Sequence, residues 1–187
     1  MMGESSRNMS KDSHGLSVSF ELAGPEDAHD ISSMSLDIWS RYYSPDILTA
    51  DEVIFFWDRA YSPARLRDDM ASGTDYQWIK VDSKRVGFLA LALDADQKKL
   101  YLSKLYLAPE YHGLGIGSSV LAKIQERGRT AGVREIYLYV FRRNIRAVHA
   151  YLNAGFVVSR EEVTECAEGF SYDDYVMVFD YENAKLG

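Results

Sequence analysis

The chain has almost nothing with which to lock itself covalently. It carries one cysteine, Cys166, in 187 residues. An internal disulfide is impossible, and this usage fits a reducing compartment, so the expected location is the cytoplasm. A run of about 18 apolar residues is also missing, and no membrane helix is expected. The stretch MMGESSRNMSKDSHG lacks an apolar signal core. It reads as a flexible tail over 1–15, ahead of a single domain over 16–187. Basic residues are in deficit, 21 against 28 acidic ones, for a net charge of −7. That balance argues against a nucleic-acid partner, which calls for a basic face. His14, His29, His112 and His149 have no metal-ligand spacing, so no metal is expected. Cys166 has no matching partner, so no cysteine nucleophile is expected.

What is present is ordinary globular material, 47% apolar and 26% charged, enough for one full core. The charges are uneven. Leu121 to Arg146 holds seven basic and two acidic residues, whereas Phe156 to Gly187 holds eight acidic and two basic. One patch could meet an anionic cofactor and the other a cationic partner.

Prolines and glycines punctuate a legible order of elements. Residues 16–22 alternate as a half-buried strand. Pro25, with Glu26 and Asp27, suits a first helical turn, and Ala28, Ile31, Ile38 and Trp39 continue at helical spacing to about Ser40. Tyr42–Pro45 reads as a loop. A second helix starts after Thr49, and a third short one runs from Ala64 to Ala71. Strands follow at 76–81, 85–93 and 99–107, with short turns that make them an antiparallel meander. A helix over 115–131 then leads to a strand over 135–141. A helix over 144–153 precedes two last strands at 156–163 and 170–179. The helix between strands 99–107 and 135–141 is a crossover, which makes those strands parallel neighbours. The expected fold class is α/β (α+β): a mixed, mostly antiparallel sheet of seven strands with four or five helices on both faces.

The informative stretch is LYLSKLYLAPEYHGLGIG, 100–117. It runs strand, break at Pro109, three alternate glycines, helix. This order gathers free N–H groups and the positive end of a helix dipole at one point, which suits an anion such as a phosphate. A P-loop would need lysine after the last glycine, and Gly117 is followed by Ser118-Ser119. A dinucleotide G-x-G-x-x-G places its last glycine where Ser118 or Val120 stands. What remains is a loop whose amides wrap a pyrophosphate, with glycine letting the phosphate approach the backbone.

The segment Leu105 to Gly117 resembles motif A of the GCN5-related N-acetyltransferases (GNAT), a loop of the form Gln/Arg-x-x-Gly-x-Gly/Ala. Gly115 and Gly117 match, and His112 stands where Gln or Arg is usual. Asn144-Ile145-Arg146-Ala147 with Tyr151 to Phe156 resembles the family's N-x-x-A…Y-x-x-x-G-F element. By order of elements the likeness spans about 16–180. It implies a GNAT fold with a splay between strands 99–107 and 135–141, and acetyl-CoA as cosubstrate. It also implies that Gly113, Gly115, Ile116, Gly117 and Ser118 supply amides to pyrophosphate, beside His112. The edge of Leu105, Tyr106 and Leu107 would pair with the pantetheine, Asn144 would hold it, and Arg146 would meet a phosphate. Arg142 and Arg143 could share that last role. Tyr151 is the implied catalytic acid; a phenol near pKa 10 can protonate a thiolate whose thiol has pKa about 8.5.

An alkyl ammonium of pKa about 10.4 must lose a proton before it attacks. Many family members place a glutamate on the motif-A strand for this, and here that strand reads Ser103-Lys104. Asp173, Asp174 and Glu52 remain as alternatives for the base. The segment Gly169 to Met177 is similar to the last strand of bacterial spermidine/spermine acetyltransferases. The implied reaction is transfer of acetyl to a primary amine, a small polyamine first. The alternatives are a protein N-terminus, as in ribosomal-protein acetylating relatives, or a non-catalytic CoA-binding module. The expected partner is a small-molecule amine, with no membrane, and a homodimer is compatible with the sequence. The aromatic group Trp39, Tyr42, Tyr43, Phe55, Phe56 and Trp57 reads mostly as core.

Overall fold

A computed structural model describes residues 10–11 and 16–183. In chain order the strands are β1 (Ser10–Lys11), β2 (Ser17–Leu22), β3 (Asp75–Val81), β4 (Lys84–Asp94), β5 (Lys99–Leu107), β6 (Glu135–Phe141), β7 (Val157–Glu165) and β8 (Ser171–Asp180). The helices are α1 (Ala28–Ile38), α2 (Ala50–Tyr61), α3 (Pro63–Ala71), α4 (Ile116–Thr130) and α5 (Ile145–Asn153). One sheet takes all strands in the order β1-β2-β3-β4-β5-β6-β8-β7. Only β5 and β6 pair in parallel, across the α4 crossover; the other neighbours are antiparallel. The seven expected strands and five helices are present. The addition is β1, two residues of the segment read as a flexible tail, which pair with Ser17 and Val18. The other tail residues lie outside the described ones.

Two cores follow from the two faces of the sheet. Ile116, Val120, Leu121 and Ile124 of α4 and Val148 of α5 pack on one face. Ile31 of α1, Phe56 of α2 and Leu66 of α3 pack on the other. Each such fully buried side chain contributes about 1.5–3 kcal/mol. Strand β4 is buried continuously from Val86 to Leu91, as a central strand between two helical layers must be.

Local signals set the ends of the elements. Thr49 Oγ1 accepts from the Glu52 amide at 3.2 Å, and Glu52 returns a carboxylate to the Thr49 amide at 2.7 Å, a closed capping box for α2. Gly132, with φ of +69°, follows the end of α4, and Gly155, with φ of +86°, follows α5. One local reading is corrected. The chain does not relax into a loop at Tyr42–Pro45 but keeps coiling as a wider π-turn over Trp39–Tyr43. The Ser44 amide bonds back to the Trp39 carbonyl at 3.2 Å, and the Tyr43 ring lies flat on the Trp39 ring at 4.7 Å.

Candidate active site

The site begins as a defect in the sheet. Strands β5 and β6 pair only through Lys99, Leu100 and Tyr101 against Glu135, Ile136 and Tyr137. Beyond them β5 stays on β4 as far as Leu107, and β6 stays on β8 as far as Phe141. The two strands therefore part, and β5 from Leu102 to Leu107 keeps a bare edge inside the sheet. The expected splay is there, and it opens into a cleft of about 850 Å³. A bulge lies beside it: Ala90 pairs with Lys104 and Leu91 with Leu102, so Ser103 is the extra residue.

One end of the cleft is the glycine turn. Gly113 and Gly115 both have φ of +77°, the left-handed region that side-chain-bearing residues avoid. Gly115 is the N-cap of α4 and offers no side chain to the first-turn amides, the first intrahelical bond being Ser119 N–H to Gly115 O at 3.1 Å. The amides of Ile116, Gly117 and Ser118 are thus left for a ligand, at the positive end of the dipole. Gly113, Gly115, Gly117 and Ser118 line the cleft; the Ile116 side chain points into the core, so only its amide can serve. His112 is spoken for. Its Nε2 lies 2.9 Å from the Leu107 carbonyl, which can only accept, so Nε2 carries the proton. Burial pushes its pKa below the ordinary value, and the imidazole is neutral at pH 7. It braces the turn and faces the edge of the Tyr42 ring at 5.0 Å.

The other wall is α5. Asn144 is buried, and its Oδ1 accepts from the Ala147 amide at 3.2 Å, capping the helix. The same oxygen receives the Tyr42 hydroxyl at 3.3 Å, while Nδ2 donates to the Tyr43 hydroxyl at 3.3 Å. Tyr151 lines the cleft about two turns on, edge-on to Phe156. Its hydroxyl has no hydrogen-bond partner among the described residues, and burial pushes its pKa well up. The three arginines separate. Arg142 is paired with Glu161 at 3.1 Å and Asp173 at 3.2 Å, and Arg143 with Glu52 at 3.1 Å. Arg146 is exposed on the cleft and has no carboxylate among the described residues.

The sequence profile of the acetyltransferase (GNAT) family matches residues 34–156, which include the glycine turn, the splayed strands and α5. The chain belongs to the GNAT acetyltransferase family. Among its relatives are an uncharacterized N-acetyltransferase of Mycobacterium tuberculosis and the spermidine N(1)-acetyltransferase of Thermoplasma acidophilum. The first is 32% identical over 138 residues, 72% of this chain and 85% of that protein. The second is 27% identical over 174 residues, 90% of this chain and all of that protein. The crystal structure of PaiA N-acetyltransferase from Thermoplasma acidophilum in complex with coenzyme A superposes with a TM-score of 0.66. It is 22% identical, over 88% of this chain and 99% of that one.

In this acetyltransferase the face of the cleft opposite α4 and α5 is lined with tyrosine. The Tyr61 hydroxyl donates to that of Tyr106 at 2.6 Å, and Tyr43 continues the chain to Asn144. The expectation that the aromatic group is mostly core holds for Trp39, Tyr43, Phe55 and Phe56, all buried. Trp39 nonetheless also borders the cleft, and its buried indole Nε1 has no partner among the described residues. Lys104 stands on β5, the strand on which the motif-A resemblance implies a glutamate. Its ammonium is 3.5 Å from Asp69, within reach of the Tyr61 and Tyr76 rings, and burial lowers its pKa.

The carboxylates sort themselves by partner. Glu52 is engaged by its capping box and Arg143, and Asp173 by Arg142. Asp174 lines the cleft, and on neighbouring β7 Glu162 stands opposite it. Glu162 was not singled out from the sequence. The signal was there: strand pairing with a period of two puts it on the same face as Asp174 once β7 and β8 are aligned.

Proposed function

We propose that this acetyltransferase moves the acetyl group of acetyl-CoA onto a primary amine of a small polyamine such as spermidine or spermine. The observation that carries the reading is the cleft itself. It joins an uncapped, glycine-rich helix start to a wall bearing Asp174 and Glu162, through a bare strand edge.

Each residue then has a role. The amides at Gly113, Gly115, Ile116, Gly117 and Ser118 take the pyrophosphate. The edge of Leu105, Tyr106 and Leu107 pairs with the amides of the pantetheine arm, as an added strand would. Arg146 meets a phosphate. His112 and Asn144 hold the turn and α5 in place around the ligand rather than touching it with charge. The acceptor nitrogen, once neutral, attacks the thioester carbonyl to give a tetrahedral intermediate. As the C–S bond breaks, Tyr151 gives its proton to the leaving sulfur and regains one from the nitrogen of the intermediate. Its raised pKa keeps the phenol protonated through the neutral range, so the donor is always loaded.

The polyamine draws support from the two cleft carboxylates and from the spermidine acetyltransferase among the relatives. The test is CoA release across spermidine, spermine, lysine and a short peptide with a free N-terminus. Spermidine or spermine should give the highest kcat/KM. A higher value with the peptide overturns the polyamine reading in favour of a protein N-terminus. Tight acetyl-CoA binding with no CoA release from any amine would make the chain a binding module.

A further inference from the structure

Asp174 is the odd member of the carboxylates around the cleft. It is 9% exposed, and no hydrogen bond or ion pair engages it among the described residues. It lines the same cleft as Tyr151. It sits on β8 opposite Phe141, the last residue of β6, where the splay is widest. A carboxylate nine-tenths removed from water normally secures a cation or several donors, because its desolvation is costly otherwise.

The charged groups around it do not provide one. On β7, Glu162 stands opposite it and is itself bound by Arg160 at 2.7 Å. On its own strand are Asp173, turned to Arg142, and the Tyr172 phenol. Tyr101 on β5 is close enough that the Asp174 charge raises its pKa. Tyr139 on β6 borders the same space. Lys104, the cleft-lining cation of β5, is held by Asp69. Asp174 is therefore left facing like charge, phenols and an empty volume, the surroundings that make a carboxylate basic.

We propose that Asp174 is the catalytic base that takes the proton from the acceptor's ammonium. The inference rests on the acyl-transfer reading above and names the group which that reading lacks. The ammonium R–NH3+ enters the acidic wall, pairs with Asp174 and passes one proton to its carboxylate oxygen. The neutral amine attacks the acetyl carbonyl. Of the two protons the nitrogen loses overall, one ends on Asp174 and then in solvent. The other reaches the CoA sulfur through Tyr151. Burial first, then Asp173 and Glu162, push the Asp174 pKa up to about 7. That value matches the neutral range in which a base is most effective. A carboxylate on β5 is then not required: that strand carries none, and the last antiparallel strand supplies one from across the cleft.

The test uses the primary amine that the full-length enzyme turns over fastest, so it does not depend on that amine being a polyamine. For the wild type, kcat/KM should fall on the acid side of about pH 7. Asp174→Asn should lose about 100-fold or more in kcat and lose that acid limb, with acetyl-CoA affinity unchanged. Glu162→Gln, which removes a neighbouring negative charge and frees Arg160, should move the limb to lower pH, while any lost contact with the amine shows in KM and not in the position of the limb. An Asp174→Asn enzyme with wild-type rate and pH profile overturns the assignment. If that variant fails to bind acetyl-CoA, the Glu162→Gln profile decides, and an unmoved limb overturns the assignment. Turnover of only a non-polyamine amine sinks the polyamine and leaves this test intact; no turnover of any amine sinks both.

Discussion

Asn144 Nδ2 donates to the Tyr43 hydroxyl at 3.3 Å, across 101 residues of chain. Its Oδ1 meanwhile caps α5 and receives Tyr42. One side chain thus fixes the helix that carries Tyr151 and Arg146 to the π-turn whose Trp39, Tyr42 and Tyr43 also line the cleft. The residue sits at a motif position that implies ligand contact, yet three of its bonds are spent on the protein.

Replacing Asn144 by alanine removes the cap and leaves two tyrosine hydroxyls short of a partner. Stability should fall by about 1–3 kcal/mol, read by denaturant unfolding. Acetyl-CoA affinity measured well below the melting temperature should fall less than twofold if the amide does not also hold the ligand.

Tyr151→Phe deletes only a hydroxyl that has no hydrogen-bond partner among the described residues. The fold and acetyl-CoA binding should stay intact while kcat drops by about 100-fold. Unaltered turnover would remove Tyr151 from the mechanism.

Arg146 and Arg142 should behave differently although they are four residues apart. Arg146→Ala should weaken CoA binding by about 5–10-fold at low salt and flatten its salt dependence. Arg142→Ala, whose guanidinium is committed to Glu161 and Asp173, should leave CoA affinity unchanged. Calorimetric titration at two ionic strengths separates them.

Gly87 lies where β4 passes closest to β5. A Cβ there would stand 2.1 Å from the Tyr106 carbonyl oxygen, an impossible contact with backbone. Gly87→Ala must push β5 aside, toward the cleft. It should cost about 1–3 kcal/mol or more in stability and weaken CoA binding together with it. Equal affinity in a destabilised variant would mean that the bare edge does not touch the ligand.

The raised pKa of Asp174 also has a stability consequence. Its folded value of about 7 lies above the ordinary carboxylate value near 4, so the unfolded chain gives up this proton first. The contribution of Asp174 is most favourable below about pH 4 and is lost as pH rises toward 7. Asp174→Asn should therefore stabilise the protein at pH 8, by about 1–4 kcal/mol, and the gain should vanish at pH 4. Melting curves at the two values check the sign.

Much of this was legible in the chain because local rules were strong. The Thr49–Glu52 capping box, the glycines that end α4 and α5, and the meander turns are signals read within a few residues. The glycine turn carried its chemistry in its spacing. The π-turn was not legible, because a periodicity of three and four contains no sign of a bond from residue 39 to residue 44. Nor could sequence separate Arg146 from Arg142 and Arg143. Their partners Glu161, Asp173 and Glu52 are distant in sequence and meet them only through strand and helix packing. The isolation of Asp174 is likewise a property of its surroundings: what distinguishes it from Asp173 is the side of β8 on which each falls.

The sheet's two halves, β1–β5 and β6–β8 with β7, share only three residue pairs. A sheet interrupted in this way is a ribbon with a seam, and a molecule seated in the seam would act as a stitch. Its contribution would be mechanical as well as chemical. The amide protons on the open side of Leu102 to Leu107 should exchange rapidly in the free protein and slow sharply once the seam is filled. The halves would then open together, as one cooperative unit, where before they could part along the gap.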